Sequence, residues 1–283
     1  MPSLALSRVL LVSLVAALSG GHVARAASLP SPSPASEPAT RPPAPDEGET
    51  VLYGFEDEAR LMPWQKRGAA AFVPPAVGTS QAVPLLVFLH GTNPDATLHL
   101  WMGGGGKDLR PTLREAAASS DARFVLAAPS QTRAASSGRG LWTRFDLQRF
   151  VTATRLALAS RAKIDPSRVF VLGHSGAGCN PDGGVVSAAR GSLVPAGVVA
   201  IDTCLDAEMG AAMGRRPASV KLWALWQGAS WPREPEAFRQ AVEGSQPSGA
   251  WFRMEQRPAG IGNPHDAIVP DALKVLLGAW VTG

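Results

Sequence analysis

The sequence is short of the residues that build metal centres and covalent frameworks. It has two cysteines and five histidines in 283 residues. Two cysteines allow one disulfide at most, so the fold must be held by a core. No H-E-x-x-H string occurs and the histidines are scattered, which leaves no metal site to expect. A net charge of +4 accompanies a sequence pI of about 9.5. Yet no basic stripe interleaved with aromatics is present, and nucleic acid is not an expected partner. The chain shows no internal repeat. Its most apolar stretch, Val9–Leu18, falls short of the roughly 20 residues that span a bilayer.

That stretch reads instead as a secretory signal. Arg8 precedes the apolar run, and Ala24-Arg25-Ala26 is a small-x-small cleavage site. Residues 1–26 are therefore assigned as a signal peptide, with an uncleaved membrane anchor as the alternative. Export implies a secreted or periplasmic protein with no transmembrane segment after cleavage, in a compartment where a disulfide survives. Residues 27–50 are rich in Pro, Ser and Ala, as in Ser31-Pro32-Ser33-Pro34, and cannot build a core. They read as a tether that would associate the domain with the cell envelope, or as an inert leader. Residues 51–283 form the expected catalytic domain.

Within that domain, short continuous apolar runs alternate with amphipathic stretches. Pro84–His90, Arg123–Ala128, Arg168–Gly173, Ala196–Ile201 and Val220–Trp226 predict strands covered on both faces, and Trp251–Glu255 predicts a weaker last strand. Asp108–Ser119, Asp146–Arg161 and Asp266–Val281 predict helices. The pattern is that of an α/β fold, a mostly parallel sheet with helices on both faces.

One segment carries chemistry. The strand Arg168–Leu172 runs into Gly173-His174-Ser175-Gly176-Ala177-Gly178. Small residues flank Ser175 at −2, +1 and +2, as a sharp strand-to-helix turn presenting a nucleophile requires, although Ala177 replaces the last glycine of G-x-S-x-G. Leu86–Leu89 ends in His90-Gly91-Thr92, a strand followed by a polar loop. The Gly176 and Thr92 N–H groups are the expected oxyanion donors, with Asn93 as runner-up, each worth roughly 3 kcal/mol. Elimination among the histidines selects the base. His22 lies in the signal, His90 ends the strand before the oxyanion loop, His99 lies in a loop ahead of Ser175, and His174 adjoins Ser175 with its side chain expected to diverge. His265 follows the last strand and opens the last helix, where the order Ser, acid, His puts a base. Asp202, one strand after Ser175, is the preferred acid, with Asp206 and Glu234 as alternatives. Cys179 and Cys204 follow Ser175 and Asp202 closely. Neighbouring strands would bring them together as a disulfide pinning the Asp202 loop; the alternative is two unpaired thiols.

Pro84–Thr92 and Asp165–Gly178 resemble the extracellular esterase branch of the α/β-hydrolases, which includes polyhydroxyalkanoate depolymerase-like and feruloyl esterase-like enzymes. An Asp-Pro-x-Arg-Val strand leading into G-x-S-x-G/A is typical of them. The resemblance runs from about Phe72 to the C-terminus. It implies a triad of Ser175, His265 and an acid, and ester substrates. Asn180-Pro181-Asp182-Gly183-Gly184 departs from the pattern by interrupting the helix expected after Ser175. The same residues could cleave peptides or amides, cell-wall peptides included, and a catalytically silent secreted binding module would share the fold. The glycine run 103–106 followed by Lys107 lacks the Ser/Thr and first glycine of a phosphate loop. Trp101, Trp142 and Trp231 fall in loops at the sheet edge where ligands bind, as pocket lining or as packing.

Overall fold

All five apolar runs and the weaker sixth are strands of one sheet. The computed structural model describes residues 47–55, 68–92, 108–120, 122–130, 138–143, 145–229, 233–258 and 263–281. The signal, the tether up to residue 46, Asn93, His99, the glycine run, Trp101 and Trp231 lie outside the described residues.

The eight strands are β1 (Glu49–Tyr53), β2 (Ala69–Val73), β3 (Ala82–Leu89), β4 (Val125–Pro129), β5 (Lys163–His174), β6 (Gly197–Ile201), β7 (Lys221–Gln227) and β8 (Phe252–Arg257). Their order across the sheet is β1-β2-β4-β3-β5-β6-β7-β8. β1 and β2 pair antiparallel, as do β2 and β4; every other pair is parallel. The two antiparallel strands were not expected from sequence. β2 is Ala-Ala-Ala-Phe-Val, whose alanines carry little strand propensity, and β1 is only half buried.

The helices are α1 (Arg110–Ser120), α2 (Leu147–Ala157), α3 (Gly184–Arg190), α4 (Ala207–Gly214), α5 (Pro235–Ser245) and α6 (Pro264–Leu276). Alternate strand residues point to opposite faces and build two cores. Val87, Val171, Ala200 and Ala224 meet Phe150, Val185, Met209 and Phe238 of α2 to α5. Phe88, Leu172, Val199 and Leu225 meet Leu113 of α1 and Ile268, Ala272 and Leu273 of α6. This is why the runs are continuously apolar: both faces are buried. Among the described residues, no helix is long and apolar enough to cross a membrane.

Candidate active site

Ser175, Asp202 and His265 stand at the C-terminal ends of β5 and β6 and the start of α6. Strand β5 ends at His174, and the chain then winds into a single 3-10 turn, Ser175–Gly178. Ser175 has φ +55°, Asp202 +49° and Trp142 +57°. These are the only non-glycine residues in the left-handed region among those described. Such strain costs about 1–3 kcal/mol each and collects at functional sites.

The flanking small residues are required by close packing. A Cβ on Gly173 would lie 2.2 Å from Val185 Cγ1, and one on Gly176 would lie 2.5 Å from Leu141 Cδ1 and 3.1 Å from Thr92 Oγ1. Ala177, the departure from the motif, is fully buried. The interrupted helix expected at Asn180–Gly184 is present. Asn180 is buried, its amide donates to Leu141 O at 2.6 Å, and regular helix resumes only at Gly184, with φ +53°.

Gly91 brings the β3 loop onto the serine. A Cβ there would meet Ser175 Cβ at 2.5 Å and Oγ at 2.9 Å. Gly91→Ala is therefore expected to displace Ser175 or the loop and to lower kcat/KM by about 100-fold, the usual cost of a misplacement near 1 Å. Steady-state kinetics on a folded variant check this, and activity within threefold of the parent would refute the close approach. His90 is buried and its carbonyl accepts from Trp142 Nε1 at 2.9 Å. Trp142, considered as pocket lining, is completely buried packing behind this loop.

His265 is held in the first turn of α6 by Asn263-Pro264. Asn263 caps the helix, its side chain accepting from His265 N at 3.1 Å, and Pro264 starts it. The His265 Nδ1–H donates to Asp202 Oδ2 at 2.6 Å. Asp202 is wholly buried and accepts three further donors: Gln227 N at 3.1 Å and Arg233 Nη2 at 2.6 Å on Oδ1, and Gln227 Nε2 at 3.0 Å on Oδ2. Arg233 also donates to Gln227 O. Burial pulls the Arg233 guanidinium down and Asp202 opposes it. Of the two alternative acids, Asp206 is engaged elsewhere through its side chain, and Glu234 sits at a helix start through its backbone. Asp206 caps α4 through Met209 N at 2.9 Å and pairs with Arg139 at 3.1 Å, and Glu234 is the backbone cap of α5.

Cys179 and Cys204 form a disulfide, with Cα atoms 4.9 Å apart. It joins the end of the Ser175 turn to the segment after Asp202, because β5 and β6 are parallel neighbours with His174 opposite Ile201. Closing the 25-residue separation stabilises the fold by about 3.5 kcal/mol in the chain-entropy account.

His174 does more than adjoin Ser175. Its ring lies 4.5 Å from the His265 ring, and its Nε2–H donates to His265 O at 2.8 Å. Burial, with His265 adding to it, pushes His174 down to about 4. Between pH 6.5 and 4 the unfolded chain takes up a proton here that the folded chain refuses. Stability is therefore expected to fall as pH drops through that window, by about 3 kcal/mol from this residue. Urea unfolding of the parent and His174→Asn at pH 7 and pH 4.5 measures it; equal losses in both would remove His174 as the source.

Sequence reasoning missed Gln227, Arg233 and the contact of His174. Gln227 ends β7 and Arg233 sits in a connection, so only the folded chain aims them at Asp202. Among the described residues no group of His, Cys, Asp and Glu is arranged to hold a metal ion.

No protein-family model matches the sequence, and no curated protein sequence matches it either. Solved structures do match in shape. A thermostable esterase aligns with TM-score 0.53 at 17% identity, over 83% of this chain and 62% of its own. This chain thus spans less than two thirds of that enzyme. A fluorophosphonate-binding serine hydrolase F of Staphylococcus aureus aligns with TM-score 0.53 at 12% identity, over 83% and 98%. A feruloyl esterase module of Clostridium thermocellum, seen with sinapinate, aligns with TM-score 0.54 at 10% identity, over 85% and 89%. The chain has the α/β-hydrolase fold that these esterases and hydrolases share.

Proposed function

We propose that this chain is an exported serine esterase that cleaves carboxylic esters through an acyl-enzyme. The observation that carries the reading is the buried Asp202 carboxylate on His265 Nδ1, beside a serine in a left-handed turn at the end of β5. Ser175 is the nucleophile, His265 takes its proton, and Asp202 fixes the tautomer and stabilises the imidazolium. The N–H groups of Gly176 and Thr92 hold the oxyanion, and water releases the acid. The reaction needs no cofactor. Export rests on the signal at residues 1–26 and is supported by the Cys179–Cys204 disulfide. Residues 27–50 serve as the tether. The esterases and the feruloyl esterase module that share the fold favour an ester over an amide substrate.

The test is fluorophosphonate labelling of the purified protein, read by intact mass, followed by a panel of ester and amide substrates. One adduct, with turnover of esters above amides, is expected. A folded protein that takes no adduct would instead be a binding module. Turnover of peptides alone would make it a peptidase.

A further inference from the structure

Arg233 forms a buried ion pair with the proposed triad acid. Its Nη2 lies 2.6 Å from Asp202 Oδ1, with side chains 5% and 0% exposed. The oxygen on the other side of the same carboxylate, Oδ2, receives the imidazole. The end of β7 is closed around this pair by Gln227, whose N–H and amide both donate to Asp202 and whose carbonyl accepts from Arg233. We propose that Arg233 is a positioning residue that neutralises Asp202 and thereby sets the pH above which His265 acts as a base. The inference rests on the Ser175–His265–Asp202 reading above.

The argument is electrostatic. A buried carboxylate with no other counter-ion stabilises a proton on the imidazole strongly, because opposite charges at contact interact far more in a protein interior than in water. A base that keeps its proton cannot accept one from serine. With Arg233 in place, the carboxylate still orients Nδ1–H, but its charge is already balanced. Among the described residues, the other charged and titratable groups near the imidazole are engaged in other ways. His174 from β5 is held neutral by burial. On the helix of His265 itself, Asp266 accepts from Asn263 at 3.0 Å and Asp271 is paired with Arg257 of β8 at 2.7 Å. Glu234, next to Arg233, bonds through its N–H to Leu205 O at 2.9 Å. Removing the guanidinium raises the pH at which the His265–Asp202 pair loses its proton, whichever member carries it.

The experiment compares kcat/KM against pH for the parent full chain, Arg233→Met, Arg233→Gln and Arg233→Lys, using a p-nitrophenyl ester. Gln removes the charge and keeps an N–H donor on a shorter side chain, whereas Met removes both. The acid limb of the profile is expected to move up by about one pH unit or more in Met and Gln, a loss of about tenfold at a pH below both midpoints. Lys, which keeps the charge, should hold the limb within about half a unit of the parent. An unmoved limb in a folded neutral variant overturns the proposal. So does failure of both neutral variants to fold while Lys folds, which would make Arg233 a structural counter-ion. Labelling of the parent by fluorophosphonate separates these outcomes from failure of the esterase reading, since only the latter leaves the parent unlabelled.

Discussion

Ser175→Ala is expected to lose on the order of 10^5-fold in kcat, to take up no fluorophosphonate, and to keep its fold. The size follows from the role. Without Oγ there is no bond to the acyl carbon, and what remains is whatever the oxyanion donors and substrate binding supply. The retained stability follows from position. Ser175 is only partly buried, its Oγ deletion leaves no large cavity, and the +55° φ strains alanine about as it strains serine. Ester turnover and thermal unfolding should therefore separate cleanly, with a large loss in the first and under about 1 kcal/mol in the second. Turnover that survives the substitution would mean that the measured reaction belongs to another residue or to a contaminant.

Asp202→Asn is expected to damage both activity and stability. All four directions around the carboxylate are met by donors: Gln227 N, Gln227 Nε2, Arg233 Nη2 and His265 Nδ1. An amide has one oxygen to offer and must aim its own N–H groups at the rest. If the amide faces the imidazole, it donates to Nδ1, which places the proton on Nε2 and removes the base. A loss of about 10^4-fold in kcat follows from the wrong tautomer. The second cost lies with Arg233, whose buried guanidinium loses its carboxylate. Removing one partner of a buried pair destabilises by about 3–5 kcal/mol. For a domain of this size that is a fall in Tm of roughly 6 °C or more, measurable by calorimetry. A variant that keeps its Tm would show that Arg233 finds another acceptor. One that keeps activity within tenfold would show that Asp202 does not orient the base.

Chain order and strand composition made much of this site legible before any coordinates. His265 stood out because it alone among five histidines follows the last strand, and Asn263-Pro264 before it is a helix start. Ser175 stood out because small residues surround it after a buried strand. Asp202 was harder to read. Asp206 lies four residues on and Glu234 follows the next strand, and in the fold Asp206 is spent on capping α4 and on Arg139 while Asp202 meets the imidazole. The disulfide was a spacing argument that needed β5 and β6 to be neighbours, which they are. The expectation that the His174 side chain would diverge considered Ser175 alone and overlooked α6, whose first turn the ring contacts.

The sequence by itself determined the alternating architecture, because hydrophobic period and small-residue turns are local properties that survive in one dimension. It also singled out Ser175 and His265 as the candidate nucleophile and base, because their positions in the chain have no competitor. Tertiary structure decided the surroundings of Asp202. Gln227 and Arg233 come from the end of β7 and the connection after it, 25 and 31 residues beyond Asp202 in the numbering. A buried charge takes its partners from whatever the fold brings within about 3 Å, and no periodicity along the chain records that meeting.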